Sequence, residues 1–583
     1  MAKKEKQASF MGNVFIILFA QILIKLLGVV YRMVITNIEG FGDSGNGYYT
    51  AGFQIYTVLL AISSVGIPNA IAKLVSERAA LGDYRGAHRI FRSAFMMFSV
   101  IGLVFSALLF IGADFVSTTV IGMPGVSYVM RALSPSIFFV CVSSVIRGYF
   151  QGLNDMQATS RSQVYEQVFK CTLTVLFVEL CVGSMPFIMQ LLTRFTMIYG
   201  GNLSQNTPPE IMAAWANAAS SVATALSFIY IVVYYFRKKA KLSKMMRSDV
   251  PTISASTKRL LFTILSLSIP ISLASIITAI NRVVDTATIA RGIAAAYSAC
   301  IPAHGDVAAI FNPSADELAK EAVRLSGMLS KSDTLINMPL TLNIAFATVL
   351  VPTIAGALAR GDRREAASKT SYSFLISTLL ILPCCVGFIA LAQPIYKLIY
   401  HNAPLGYDLL ALMSVSLIFS ALAQTVNGSL QGIGKVFVPA MGLLIGCIIK
   451  FILNIVLIRI PSVNIYGAAI SSIICQIVAF LVSYIMMRRY IRLEITAMKY
   501  IIKPVIASVI MGIASFAVYK LITLVMGAGF IGNAAALLAA VAAAVVVYAA
   551  LVIGMRILNK EEIELLPSGA KLYRLLCRTG LYK

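Results

Sequence analysis

Charge is what this sequence has least of. Only 12% of its 583 residues are Asp, Glu, Lys or Arg, against roughly 25% in soluble domains. So few charges cannot cover a water-exposed surface of this size. That excludes a soluble enzyme, a disordered chain and a secreted disulfide scaffold. The three histidines, His88, His304 and His401, lie far apart and form no metal motif. Nine cysteines fall mostly in apolar runs, and none shows CxxC spacing, so they read as packing residues. Catalytic signatures are missing too. There is no HExxH and no GxSxG, and the glycine-rich run Gly428 to Lys435 has the wrong spacing for a Walker A loop, with Val436 after the lysine. These absences argue against an ATP-driven pump or an enzyme. We expect no catalytic residues, no resident metal and no cofactor.

What the chain does have is apolar length. Hydrophobic residues make up 59%, and the mean hydropathy is +0.85. Spans of about 20 residues are needed to cross a bilayer. Apolar runs and their breakers predict an all-α polytopic protein of about fourteen spans. The first six are 12–38, 47–72, 89–112, 127–150, 163–184 and 213–236. The rest are 260–290, 334–358, 371–391, 406–430, 437–459, 466–487, 503–526 and 532–556. The first run holds Lys25 and Arg32 and lacks a small-x-small cleavage site, so it reads as a retained helix. The net charge of +24 would suggest nucleic acid in a soluble protein. Here it reads as positive-inside topology, with no nucleic-acid partner. Lys and Arg concentrate in alternate loops, above all at Arg237, Lys238, Lys239, Lys241, Lys244, Arg247, Lys258 and Arg259. That places a multi-pass protein in the cell membrane with both termini cytoplasmic.

The chain also repeats itself. Ala80-Leu-Gly-Asp-Tyr-Arg-Gly-Ala87 matches Ala359-Arg-Gly-Asp-Arg-Arg-Glu-Ala366 at an offset of 279, and Gly148-Tyr-Phe-Gln-Gly152 matches Gly428-Ser-Leu-Gln-Gly432 at 280. An even number of spans separates the copies. This predicts two six-helix lobes of the same orientation, 1–245 and 246–487, followed by two helices and a cytoplasmic tail in 488–583. Such lobes suit alternating access. In the outer loop at 292–333, Ser314-Ala-Asp-Glu317 has the spacing of a capping box and predicts a short helix. Asn202-Leu-Ser204 reads as a chance glycosylation triplet.

Cations inside apolar spans are costly, and they usually face a cavity or a partner. Lys25 and Arg32 are seven residues apart, two turns of one helical face. Lys73 ends the second span with Glu77 one turn on, and Arg147 and Lys170 lie on the fourth and fifth spans. Lys25, Arg32, Lys73, Glu77, Arg147 and Lys170 are the candidate substrate-binding residues. Snorkelling to the interface is the alternative, strongest for Arg147 and for Lys520. Glu166, one turn before Lys170, offers Lys170 a local ion pair instead. Asn281, Arg282 and Asp285 on span seven, with Lys450 and Asn454 on span eleven, form a candidate coupling group. Its alternative is a static polar contact between packed helices. A surplus of cations points to an anionic ligand, and phosphate suits Arg and Lys best.

Lys25-Leu-Leu-Gly28-Val-Val-Tyr31-Arg32, Ile67-Pro-Asn69, Gly82-Asp83 and Gln151-Gly152, set in two repeats, resemble the multidrug/oligosaccharidyl-lipid/polysaccharide exporter superfamily. Within it the chain is similar to the stage V sporulation protein B-like polysaccharide transporters, relatives of the MurJ lipid II flippases. The resemblance implies MATE-like V-shaped lobes and a cationic cavity for the pyrophosphate of an undecaprenyl-linked sugar. It also implies a lipid groove near the last two spans. In the MurJ pattern the basic residues of spans one and two are functional, and here they match Lys25, Arg32 and Lys73. Thr334 stands where many relatives carry an Arg, and Lys450 stands in the region where some coordinate sodium. The expected function is flipping of a lipid-linked anionic oligosaccharide precursor, lipid II first among them. The expected partners are that lipid, the bilayer and cell-wall synthesis enzymes. The alternatives are a flippase for a teichoic or capsular lipid, a cation-coupled multidrug exporter, and a non-transporting scaffold for wall synthesis.

Overall fold

A computed structural model of the chain describes residues 23–62, 66–182, 207–247, 257–303, 309–491, 496–527, 529–559, 562–563 and 573. The start of the first expected span, the triplet at 202–204 and most of the tail lie outside these residues. The described chain is almost entirely helical. Helix α1 covers 23–36. It is followed by α2 (Gly42–Leu60), α3 (Gly66–Ala80), α4 (Tyr84–Ile111), α5 (Val126–Gly152), α6 (Met156–Cys181), α7 (Pro209–Arg247) and α8 (Thr257–Ala296). Then come α9 (Ala315–Ala359), α10 (Arg363–Ile399), α11 (Tyr407–Gly432), α12 (Phe437–Leu457), α13 (Ile465–Arg488), α14 (Lys503–Met526) and α15 (Phe530–Gly554). One two-residue antiparallel ladder, β1 (Cys300–Ile301) with β2 (Ile310–Phe311), lies between α8 and α9.

This is an all-α multi-pass membrane protein. Among the described residues 10 helices are long and apolar enough to cross a membrane. Helices α2 and α6 fall outside that set for a chemical reason. The first is rich in Gly, Tyr and Thr, and the second carries Glu166, Lys170 and Glu179. A span that polar needs protein or water around it rather than lipid. Enclosure varies in the opposite sense. In α5, 72% of the apolar window is buried, against 17% in α15, so α5 is a central helix and α15 a lipid-facing one.

The described residues form two compact units, Met1–Lys331 with Phe451–Ala468, and Ser332–Lys450 with Ala469–Lys583. In the first, α5 packs on α2, α3, α4 and α7. Its core joins Ile71 and Val75 of α3, Ile90 and Phe91 of α4, Tyr149 and Phe150 of α5, and Ile231 of α7. In the second, Phe374 and Leu375 of α10 meet Val426 and Leu430 of α11, with Phe480 and Met487 of α13.

The sequence repeat appears as repeated backbone geometry. Gly82 and Gly361 both adopt left-handed φ, +77° and +78°, a conformation that a Cβ disfavours. After each, the aspartate N–H donates to a carbonyl five residues back, Asp83 to Arg78 and Asp362 to Ala357, both at 3.0 Å. Each aspartate then caps the next helix. Asp83 accepts from the Gly86 N–H at 2.7 Å, and Asp362 from the Glu365 N–H at 2.8 Å. The Gln-Gly copies close their helices alike. The Asp155 N–H donates to Phe150 O at 2.9 Å and the Lys435 N–H to Leu430 O at 2.8 Å, with Asn154 and Gly434 left-handed. Gly152 and Gly432 sit at matching close approaches. A Cβ there would lie 2.6 Å from Val75 Cβ and 2.9 Å from Ile354 Cβ.

The capping box forms as its spacing predicts. The Ser314 N–H donates to Glu317 Oε2 at 2.7 Å, and the Glu317 N–H to Ser314 Oγ at 3.3 Å. These bonds hold the Glu317 carboxyl below its usual range. The helix that follows is not the short element expected. It is the first part of α9, Ala315–Ala359: no proline interrupts the stretch before Pro339, and Gly327 is tolerated inside a helix.

Candidate functional site

Four helices of the first unit bring cations and aromatic rings together. On α1, Lys25 and Arg32 share a face as their spacing requires. The Arg32 guanidinium donates from Nη2 to Thr50 Oγ1 at 2.7 Å and to Ser330 Oγ at 2.6 Å. Those two hydroxyls lie 2.6 Å apart. Its Cζ stands 4.6 Å from the centroid of the Tyr49 ring, a cation–π distance. The Tyr49 hydroxyl meets the Tyr31 hydroxyl at 2.9 Å. From α6, Lys170 Nζ lies 4.5 Å from the Phe53 centroid and 5.7 Å from that of Tyr31. Tyr49 and Phe53 are one turn apart on α2, so a single helix supplies a ring face to each cation.

Lys25 and Arg282 are exposed. The Lys25 ammonium lies within electrostatic reach of two like charges, Arg282 on α8 and Lys170 on α6. Among the described residues, no carboxylate forms an ion pair with Lys25, Arg32, Lys170 or Arg282. Hydroxyls and ring faces satisfy donors but cancel no charge. The cluster therefore keeps a positive potential that a multivalent anion would relieve.

Not every sequence candidate joins it. Arg147, 7% exposed, donates to Glu166 Oε2 at 2.7 Å, to Ser162 Oγ at 2.9 Å and to Ser227 Oγ at 3.1 Å. It ties α5 to α6 and α7. Glu166 thus serves Arg147, not its helical neighbour Lys170. Lys73 and Glu77 are exposed on α3, and among the described residues no hydrogen bond or ion pair joins them to the cluster. In the coupling group, Asn454 Nδ2 donates to Asp285 Oδ1 at 3.0 Å and to Thr288 Oγ1 at 2.9 Å. Asn281 is half-buried, and Lys450 is buried.

Sequence reasoning missed the seam beside the cluster. Lys331 Nζ meets Asp43 Oδ1 at 2.5 Å, with side-chain exposures of 1% and 10%. Close backbone approach makes this contact. A Cβ on Gly47 would lie 2.0 Å from Val323 O, and one on Gly327 would lie 1.8 Å from Asp43 O. Glycine at both positions lets the first turns of α9 lie against α2, next to Ser330 and Arg32. The available signal was the run of glycines in Gly42-Asp-Ser-Gly-Asn-Gly47.

Comparison with known proteins gives a consistent picture. A family model described as polysaccharide biosynthesis protein matches residues 10–358, and one described as lipid II flippase MurJ matches residues 322–554. The lipid II flippase MurJ of Bacillus subtilis is 25% identical over 87% of this chain and 88% of its own length. Stage V sporulation protein B of the same organism is 24% identical over 96% and 98%. Among solved structures, an inward closed lipid II flippase MurJ aligns with a TM-score of 0.63 at 15% identity, covering 91% of this chain and 97% of that one. An inward-facing multidrug resistance MATE family transporter of the MOP superfamily aligns at 0.62 and 13% identity, covering 80% and 94%.

Proposed function

The chain belongs to the polysaccharide biosynthesis protein family, and on that premise we propose that it flips an undecaprenyl-pyrophosphate-linked cell-wall precursor, lipid II first among them. The chain is a membrane transporter of MOP-superfamily fold, not an enzyme. The observation that carries the finer reading is the cation cluster without carboxylate partners. A diphosphate bears several negative charges, and Lys and Arg bind phosphate oxygens by charge-assisted hydrogen bonds. Lys25, Arg32 and Lys170 receive it in this reading, and Lys73 meets it at the cytoplasmic end of α3. Arg282, placed with the coupling group by sequence, shares the field of Lys25 and belongs with the phosphate. The sugar follows the diphosphate, and the polyprenyl tail stays in lipid. A drug-cation exporter would need the opposite sign of charge.

The orientation we assign puts both termini in the cytoplasm, since Arg237, Lys238 and Lys239 continue α7 beyond its apolar stretch. Exchange of access is assigned to the lobes 1–245 and 246–487, with 488–583 flanking them. The Asp43–Lys331 pair and the Arg32–Ser330 bond then close the outer end of the cluster and must break when the substrate leaves. Asp285 with Asn281, Asn454 and Lys450 is the group assigned to energy coupling, by membrane potential or an ion gradient.

A second reading is a flippase for a teichoic or capsular oligosaccharide lipid. It is favoured by the match of residues 10–358 to the family model described as polysaccharide biosynthesis protein. The test is translocation of lipid II by purified protein in vesicles, with a lipid-linked capsular unit as competitor. Lipid II should cross faster than in empty vesicles and resist the competitor. Preferential transport of the capsular unit selects the second reading, and transport of neither ends both.

A further inference from the structure

We propose a second phosphate site, for the headgroup of an anionic lipid, in a cavity at the far ends of α8 and α12. The cavity has a volume of ≈380 Å³ and is lined by Thr119, Val120, Ala287, Thr288, Arg291, Gly292, Phe451, Ile455 and Arg459, all in the first unit. Ligand pockets begin at about 300 Å³, so it can hold a phosphate with its glycerol or first isoprene. It forms for a simple reason. Gly292 brings α8 against the end of α12, where a Cβ would lie 2.5 Å from Ile458 Cγ2. Phe451 and Ile455, one turn apart on α12, and Arg459 in the turn just past its end then line the cavity with Thr288 and Arg291.

Charge makes this hollow a site. Arg291 and Arg459 both line it, and no Asp or Glu does. Two guanidiniums on one small cavity repel each other unless an anion lies between them. Arg291 donates one N–H to the Thr119 carbonyl, which fixes its head. An arginine has five donors, so four remain. Cations also occur at helix C-termini as dipole partners, an effect of about 0.3–1 kcal/mol. That role accounts for either arginine alone, but not for both on one cavity that Val120, Ala287, Phe451 and Ile455 also line. A phosphate at the rim with hydrocarbon below matches the lining.

The cavity is separate from the cluster. Arg291 lies nine residues beyond Arg282 on α8, two and a half turns, and so on the opposite face. It lies at the end of α4 away from the Gly82-Asp83 turn, and α4, at 28 residues, is about 42 Å long. On the orientation proposed above, this is the outer leaflet. Two lipids there share the chemistry: bulk anionic phospholipid, and the flipped polyprenyl lipid on release.

The experiment titrates the purified full-length chain with phosphatidylglycerol, undecaprenyl phosphate and phosphatidylcholine, with bound lipid read by native mass spectrometry. Arg291→Gln/Arg459→Gln removes the charge, and Ile455→Trp fills the cavity while keeping it. Both should weaken binding of at least one anionic lipid about tenfold or more and leave phosphatidylcholine unchanged. Loss for phosphatidylglycerol assigns the site to bulk lipid, and loss confined to undecaprenyl phosphate assigns it to the released product. Lys520→Gln, which removes an exposed cation that belongs to neither the cluster nor the cavity lining, should not reproduce the loss. Wild-type binding in both cavity variants overturns the proposal, as does loss in the charge variant with Ile455→Trp unaffected. If the double variant does not purify as a folded monomer, Ile455→Trp decides alone.

Discussion

Arg147 and Arg32 are both arginines inside apolar helices of the same unit, yet their surroundings differ in kind. Arg147 has a carboxylate at 2.7 Å and two serine hydroxyls. Its charge is cancelled and its position locked. Arg32 has two hydroxyls and a tyrosine ring, and with Lys25, Lys170 and Arg282 it keeps its charge. A buried cation with an acid partner is architecture, whereas in the function proposed here the cations held only by neutral acceptors and ring faces are the receptor for an anionic ligand.

Removing Arg147 is the strongest way to test that distinction. Arg147→Ala leaves Glu166 facing apolar helices without its partner, at a cost of about 3–5 kcal/mol. The thermal midpoint and folded yield in detergent should fall sharply. Arg32→Ala strands only hydroxyls and should melt near the wild type. Equal melting of the two variants would erase the comparison.

Transport should show the reverse order. Lys25→Ala and Arg32→Ala should each lose a charge-assisted bond to the ligand, about 1.5–3 kcal/mol, or roughly tenfold to a hundredfold in flipping, with expression and insertion intact. If both variants complement a flippase-depleted strain at normal rates, the cluster is not the receptor. A smaller effect sharpens the role of the rings. Phe53→Leu keeps bulk but removes the face beneath Lys170, worth about 0.5–2 kcal/mol, so apparent substrate affinity should fall severalfold without a change in melting.

The repeat sets a further comparison. Gly82→Ala and Gly361→Ala each force a Cβ into a left-handed turn and should cost about 1–2 kcal/mol, by similar amounts because the two turns share their hydrogen bonds. Unequal melting shifts would show that the turns are alike in sequence only. The smallest expected effect is none at all. With Lys450 in the region where some relatives coordinate sodium, replacing sodium by potassium at constant membrane potential should leave transport unchanged. A sharp loss would contradict this.

What could be read from the sequence was local. Lys25 and Arg32 declared a shared face by their spacing, and Gly82-Asp83 and Gly361-Asp362 declared matching turns. The Ser314–Glu317 box marked where α9 begins. What could not be read depended on partners distant in the chain. Glu166 looked like the partner of Lys170, one turn away on α6. Arg147 of α5 takes it instead, because packing of α5 on α6 and α7 brings a buried guanidinium nearer than the neighbouring lysine. The meeting of Tyr31 with Tyr49, and of Lys170 with Phe53, likewise needs the helices assembled. So does the Asp43–Lys331 pair, which joins residues 288 positions apart. The continuity of α9 was missed because its polar first half reads as a loop, although no residue in it is able to break the helix.

The central claim is that the cations left without acid partners hold a diphosphate. Its most direct test is equilibrium binding of undecaprenyl pyrophosphate to the purified full-length chain, comparing wild type with Arg32→Gln and Lys170→Gln. Both variants should bind about tenfold or more weakly while melting within a few degrees of the wild type. Wild-type affinity in both variants, with normal folding, would contradict the claim.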